Sequence, residues 1–406
     1  MAISPLLIRG GNMMSVLNGL KVLDFTTLLP GPFATMMLAD MGADVVKVES
    51  PHREDMTKHL PPIIDEVSAA YAQLNRSKRS VALDLKQVDA KEVIFSLIKE
   101  YDIVIEQFRP GTMERLGIDY KTLKKVNPSI IYCSLTGYGQ TGPMSNKAGH
   151  DINYLAISGA ASYSSRKDQA PIPLGIQVAD IGGGSMPAVI SILAAVYHRL
   201  QTGEGQHIDV SITDNLYAFN ALYGSGYLAG GENPGAESLM LNGGTFYDYY
   251  ETKDGRYFSV GSLEPKFQKE LCHLLGEPAL LTLSSSTKTA DQQQFKEKVK
   301  IAFKEKTFDE WLALLGNDFD GCVEPVLKFA ETVEHPHIKA REMIVPVSMP
   351  SGGTQDQIAF PIKFSNQPAS YRHTGVQTGT HTKEVLKKAG WNDSKIAVLS
   401  EKGIFG

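Results

Sequence analysis

Cysteine is scarce, with Cys133, Cys272 and Cys322 the only three in 406 residues. They are odd in number, far apart and without metal-ligand spacing, which excludes a disulfide framework and a cysteine metal site. A reducing cytoplasm is the expected compartment. Long hydrophobic runs are lacking too. The longest, MPAVISILAAVY from Met186 to Tyr197, falls short of the ~18–20 residues that span a bilayer, so it predicts a buried helix and no membrane partner. Positive charge is not in excess: Lys+Arg 40 against Asp+Glu 45 leaves a formal net charge of −5, without the basic field that nucleic acid requires. Residues 1–14 have neither the charged start nor the long apolar core of a secretory signal. They read as an N-terminal extension, with Ser15 opening the fold. Walker sequences, G-x-S-x-G elbows and Cys-His pairs in a supporting context are also missing.

What is present is a globular composition, 42% hydrophobic and 21% charged, which points to a small-molecule partner. At ~150 residues per domain the length predicts two or three compact units. Glycine, 37 of 406 residues, exceeds the usual ~7% and is the one compositional hint of chemistry. From Leu20 the chain reads as strand LKVLDF (20–25), helix 32–42 and strand ADVVKVE (43–49), a βαβ unit of about the expected ~30 residues. Pro30 and Pro32 at the helix start and Gly42 past its end punctuate it. Helix 90–101, strand 102–108, helix 120–126 and strand 130–135 continue the rhythm, which predicts an α/β fold with a parallel, doubly wound sheet. Helix 186–199 and strand 206–212 follow Asp180.

The composition then changes. Residues 224–244 are rich in glycine and polar side chains and read as a crossing or mobile segment. Residues 245–262 read as a hairpin turning at Asp254-Gly255, and helices are expected at 265–276 and 291–316. This middle block has the pattern of a smaller α+β domain, and the tail returns to short strands and one helix, 381–390.

GYGQTG at 137–142 spells G-x-G-x-x-G after a strand, yet Pro143 and MSNKAG cannot open the long helix that would hold a pyrophosphate. The glycines instead read as a tight loop delivering Gly149-His150-Asp151-Ile152-Asn153-Tyr154. His150 carries the side chain suited to proton transfer near neutrality, though an isolated histidine is more often structural. Asp151 also suits the cap of a helix beginning near Ile152. Asp180 lies between the strand-like LGIQVA (174–179) and Gly182-Gly183-Gly184, at a junction where doubly wound sheets bind ligands. The triple glycine reads equally as an anion loop and as close backbone packing. Glu264 ends the strand YFSVGS, where an ordinary exposed carboxylate is the alternative. The basic residues Arg76, Lys78, Arg79, Lys86, Arg109 and Arg115 read first as a solvated face, with Arg109-Pro110-Gly111 as a phosphate grip. His335-Pro336-His337 lacks a third ligand, so no metal is expected.

Taken together, GLKVLDFTTLLPGPFATMMLADMGADVVKVE, NRSKRSVALDLK, FRPGTMERLGIDY, SLTGYGQTGP, AGHDINYLAISG, the Asp180 glycine run and QHIDVSI resemble the family III CoA-transferase superfamily. That superfamily includes formyl-CoA and carnitine CoA-transferases and the α-methylacyl-CoA racemases, and the likeness is closer to the racemases. It implies a large Rossmann-like domain built from residues 15–223 and 341–406, a smaller domain of residues 224–340, and an interlocked homodimer. In the racemases the residues matching His150 and Asp180 form the acid/base pair, and the one matching Glu264 supports the histidine. In the transferases the residue matching Asp151 attacks the thioester and a glycine loop, here Asn242-Gly243-Gly244-Thr245, closes over the covalent intermediate.

For CoA, the resemblance implies contacts from Leu83, Asp84, Leu85, Lys86, Gln107, Phe108, Arg109, Arg115 and Gly149, and from Ile152, Asn153 and Tyr154. Asp151 would then be a structural and CoA-contacting residue. The racemases carry an arginine before the proline ending the second strand; this chain has Ser50-Pro51, leaving His52 or Arg53 nearest. No cofactor beyond the CoA of the substrate is implied. The expected activity is racemisation of a 2-methylacyl-CoA through an enolate, with CoA transfer through Asp151 as the alternative and non-catalytic acyl-CoA binding as a third reading.

Overall fold

In the computed structural model residues 15–316 and 318–406 are described; the extension expected at 1–14 lies outside them. The chain divides into two compact units. Among the described residues, the first comprises 15–154, Ile176–Leu216 and Lys339–Gly406. Its strands are β1 (Lys21–Asp24), β2 (Asp44–Glu49), the two-residue hairpin β3 (Ile63–Ile64) and β4 (Val67–Ser68), β5 (Arg79–Ala82), β6 (Ile103–Glu106), β7 (Ile131–Thr136) and β8 (His207–Ser211). Six of them form one sheet in the order β5-β2-β1-β6-β7-β8, every pair parallel.

β6 and β7 are buried along their whole length. Continuous apolar runs such as IVI (103–105) suit a strand covered on both faces, as crossover helices impose in a parallel sheet. The helix Val88–Ile98 shows the matching helical period, burying Ala90, Val93, Ile94, Leu97 and Ile98. Against the same core, which includes Leu23, Val46 and Val104, pack Val385, Leu386, Ile396 and Leu399 from two tail helices, Thr382–Lys388 and Asp393–Glu401. Each such aliphatic side chain contributes roughly 1.5–3 kcal/mol when fully buried, so the tail is an integral part of this unit. The second tail helix was not expected.

The chain builds outward from β1 to β2 and β5, then returns to place β6 on the other side of β1. This reversal makes the carboxyl edge between β1 and β6 a switch-point crevice, where open α/β sheets bind ligands.

The second unit comprises Leu155–Gly175 and Tyr217–Ile338. The expected boundary at 223/224 falls instead at Tyr217, and residues 155–175 group with this unit. Its antiparallel sheet orders Val323–Pro325, Tyr257–Val260 and Asp248–Glu251, and the hairpin turns at Gly255 with φ 78°. Phe246, Tyr250, Phe258, Phe295, Phe303 and Trp311 form its core. The single helix expected over 291–316 is two, Thr289–Phe303 and Phe308–Leu315. Thr307 and Glu310 build a capping box that restarts the chain.

Three further expectations are corrected. LGIQVA is no strand: its alternating apolar residues Leu174 and Ile176 are exposed, and no neighbouring strand pairs with them. The triple glycine is no anion loop. It lies in a π-helical turn, Ala179–Ser185, that runs directly into the helix Met186–Thr202. Gly183 and Gly184 are buried, and a Cβ on either would press on Ile212. That turn lengthens the apolar helix to 24 residues, Ala179–Thr202, long and apolar enough by length and composition to cross a membrane. The helix nevertheless packs on β7, β8 and the helix Pro30–Asp40, burying Ala188, Val189, Ile192 and Ala195.

The third correction concerns the basic cluster at 76–79, which is no solvated face. Arg76 and Lys78 are buried, Arg76 gripping Asp40 at 2.6 and 2.9 Å. Lys78 reaches Asn75 Oδ1 and the Pro32 carbonyl at 3.0 Å and Asp24 at 3.4 Å.

Candidate functional site

The loop after β1 and the loop after β6 face each other at the switch point, where Gln107 Nε2 donates to the Thr27 carbonyl at 2.6 Å. The other side-chain atom, Gln107 Oε1, is buried without a hydrogen-bond partner, an acceptor available to a ligand in the crevice. Phe108 is half-buried, while Arg109 and Arg115 are exposed. Arg115 Nη2 donates to Thr112 Oγ1 at 2.9 Å. Two exposed guanidinium groups beside a switch point suit a phosphate-bearing ligand.

The Leu83–Lys86 segment divides by burial. Leu83 is wholly buried in the core, so its side chain packs and does not meet a ligand. Leu85 is half-buried and Lys86 exposed. Asp84 accepts the Lys86 N–H at 3.1 Å and lies 3.8 Å from His52 Nε2. The structure therefore puts His52, the neighbour of the departed arginine position, next to a candidate CoA residue.

GYGQTG forms the tight loop that its glycines require, Gly139 and Gly142 having φ 78° and 86°, and the next helix after it starts only at Asp151. Asp151 opens the helix Asp151–Ile157. Its Oδ1 accepts the backbone N–H of Asp180 at 3.0 Å, a bond that brings together two segments 29 residues apart. His150 is exposed and Asp180 half-buried. Burial, then the negative charge of Asp151, pushes the Asp180 carboxyl up to about 6, while His150 draws it back. Ser185, fully buried, hydrogen-bonds through Oγ to the Pro30 carbonyl at 2.7 Å and the Asp180 carbonyl at 3.1 Å. The π turn that carries Asp180 is thereby tied to the start of the helix Pro30–Asp40. Such turns within α-helices recur at functional sites.

His150, Asp151 and Asp180 thus gather at one edge of the first unit. Ile152 and Asn153 are exposed and Tyr154 is buried. Glu264 belongs to the second unit, exposed at the N-cap of the helix Pro265–Leu274 with no side-chain capping bond. Among the described residues no group of three His, Cys, Asp or Glu could hold a metal ion.

Sequence reasoning missed Glu106, the last residue of β6. Burial pushes its carboxyl up to about 7, opposed by hydrogen bonds from Ser134 and from the Phe108 N–H at 2.8 Å. It lines a cavity of about 200 Å³ with Arg109, Tyr120, Ser134, Gln140 and His207. A carboxylate ending a strand has no distinguishing pattern, so only the packing exposes it.

The family model for CoA-transferase family III matches residues 17–382. The chain is 35% identical to the alpha-methylacyl-CoA racemase of Homo sapiens over 96% of this chain and 97% of that protein. It is 30% identical to the succinyl-CoA:glutarate CoA-transferase of Homo sapiens, covering 97% of this chain and 90% of the other. Among solved structures, a CAIB/BAIF family protein from Brucella suis superposes with a TM-score of 0.80 at 29% identity, over 93% of this chain and 100% of that one. With the family model matching most of the chain and the relatives aligning nearly end to end, the chain belongs to CoA-transferase family III.

Proposed function

We propose that this protein is an enzyme acting on acyl-CoA thioesters, and that its reaction is racemisation of 2-methylacyl-CoA. Inverting a centre next to a thioester carbonyl requires removal of a proton from one face and return of another to the opposite face. Two groups that alternate in protonation must flank the carbon. His150 and Asp180 are the proposed pair, and the observation that carries the reading is the Asp180 carboxyl raised to about 6 beside His150. An acid/base group works best with its pKa near the working pH, and Asp180 has moved from the ordinary carboxylate range toward it. His150 takes the proton from one epimer while Asp180 delivers one from the other side, and the roles reverse for the opposite epimer. The enolate oxygen needs donors already in place, and the backbone N–H groups of Asp151 and Ile152, at the start of the helix Asp151–Ile157, are the candidates. By the family likeness alone, Glu264 is proposed to take part in the same reaction.

Arg109, Arg115 and Lys86 are proposed to hold the phosphates of CoA, with Gln107 at the crevice. We further propose a homodimer working in the cytoplasm. The exposed Met186, Ile190, Tyr197 and Leu200 along one long helix support a partner surface, and the three free thiols suit a reducing compartment.

The alternative, CoA transfer through a thioester on Asp151, calls for a glycine loop that moves. Here Lys296 Nζ donates to the Gly243 carbonyl at 2.5 Å, Gln293 Nε2 to that of Gly244 at 3.2 Å, and Asn242 Nδ2 to those of Tyr163 and Gly235. A loop held by four hydrogen bonds from three side chains favours the racemase reading. The test is proton exchange in heavy water: deuterium should enter Cα of 2-methylacyl-CoA with wild type and fail to do so with His150→Ala. Absence of exchange in wild type, together with a CoA thioester on Asp151 seen by mass spectrometry, would replace racemisation with transfer.

A further inference from the structure

We infer that Tyr154 is a positioning residue for His150, acting through the carbonyl of Gly149 rather than by touching the substrate; this rests on the reading of His150 as an acid/base group. The peptide unit joining Gly149 to His150 is one rigid plane, and it is held at both ends. Its carbonyl oxygen accepts the Tyr154 hydroxyl at 2.5 Å, and its N–H donates to Asn153 Oδ1 at 3.0 Å. The next carbonyl, that of His150, accepts the N–H groups of Asn153 at 2.8 Å and Tyr154 at 3.3 Å. The imidazole itself makes no hydrogen bond among the described residues, so its direction depends on the backbone that carries it.

That backbone starts from a glycine, whose conformational freedom lets the plane rotate unless something holds it. The hydroxyl of Tyr154 is the hold on the carbonyl side. Burial first, then the charges of Asp180, Tyr138 and Asp151, keep the phenol protonated and therefore a donor. The ring is also fixed. It packs edge-on against Tyr138, with centroids 5.2 Å apart, an arrangement aromatic pairs favour. Two glycines make room for it: a Cβ on Gly137 would lie 2.3 Å from the Tyr154 ring, and one on Gly149 would lie 2.7 Å from it. A buried hydroxyl whose proton goes to a backbone carbonyl has no donor left for the phosphates of CoA, which separates this role from the ligand contact that the family likeness implies for Tyr154.

The experiment compares wild type with Tyr154→Phe, which keeps the ring and removes one oxygen, in steady-state racemisation of a 2-methylacyl-CoA. A fall in kcat of about tenfold or more is expected with KM within about twofold, since small misplacements of a reacting group are costly to turnover. A raised KM with unchanged kcat would mean that the hydroxyl meets the substrate, and unchanged constants would mean that it positions nothing; either overturns the inference. Gly149→Ala, which leaves the hydroxyl and displaces the ring, serves as the second variant. It should lower kcat similarly, and a wild-type kcat would count against the clamp.

Histidine-selective 15N spectra keep the two readings apart. If wild type shows no exchange at Cα, racemisation falls. The clamp is then read from the His150 resonances, which should shift in Tyr154→Phe and, if unmoved, refute it.

Discussion

Replacing Asp180 by Asn should stabilise the folded protein at neutral pH while abolishing exchange at Cα, because the carboxyl that we assign to proton transfer is held where its charge is disfavoured. Its folded pKa is about 6 against 3.8 for the free group. A group raised on folding binds its proton longer in the native state, so stability falls as pH rises through that interval and the whole penalty is present above it. At 1.36 kcal/mol per unit the difference sets an upper limit of about 3 kcal/mol above pH 7 and about 0.5 kcal/mol at pH 4. Water reaching the half-buried side chain lowers the neutral-pH figure to roughly 1–2 kcal/mol. The carboxylate makes no hydrogen bond among the described residues, so the amide of Asn loses none. Urea unfolding of wild type and Asp180→Asn at pH 4 and pH 7.5 measures the gain. It should appear at pH 7.5 and nearly vanish at pH 4. Equal effects at the two pH values, or destabilisation at pH 7.5, would refute the assignment of a raised carboxyl.

Two other substitutions test paired charges. Lys78→Met leaves the Asp24 carboxylate buried with only Thr26 and Thr35 as side-chain partners, and breaking such a pair costs roughly 3–5 kcal/mol; chemical unfolding at pH 7.5 should show that loss. Burial lowers Lys78 to about 8 despite Asp24, so wild-type stability should rise between about pH 8 and 10.5, where the unfolded state holds the extra proton, and this slope should be absent in the variant. In the second unit, Arg166→Met removes the 2.6–2.9 Å bonds to Asp248 and Glu237. With Lys296 still 2.7 Å from Asp248, the loss should be about 1–3 kcal/mol, read by thermal unfolding, and a variant as stable as wild type would contradict the bonding.

Much of the first unit was legible before any coordinates. Runs such as IVI at 103–105 and the amphipathic period of residues 90–98 report burial directly, because a parallel strand is covered on both faces and its crossover helix on one. Local chemistry also marked the Asp254-Gly255 turn and the punctuation at Pro30 and Gly42. The errors share a cause. The alternation in LGIQVA looks like a strand, but a strand needs a partner, and Leu174 and Ile176 have none and lie exposed. The residues Arg76 and Lys78 look like a solvated face because charge usually is one; their acids, Asp40 and Asp24, lie 36 and 54 residues away.

The site divides along the same line. Residue identity and order were enough to nominate His150, Asp151, Asp180, Glu264 and the Arg109–Arg115 segment, since motif blocks in sequence carry chemistry with them. What they could not supply is environment. That the Asp151 carboxylate takes the Asp180 N–H and that Asp180 sits in a π turn tied through Ser185 to Pro30 are facts of long-range packing, and the bond from the Tyr154 hydroxyl to the Gly149 carbonyl is one of local geometry that residue identity does not spell. Desolvation and neighbouring charge decide a pKa, and both depend on residues distant in the chain. The linear order of residues therefore named the candidate groups, and the folded arrangement decided which of them are buried, paired or shifted in pKa.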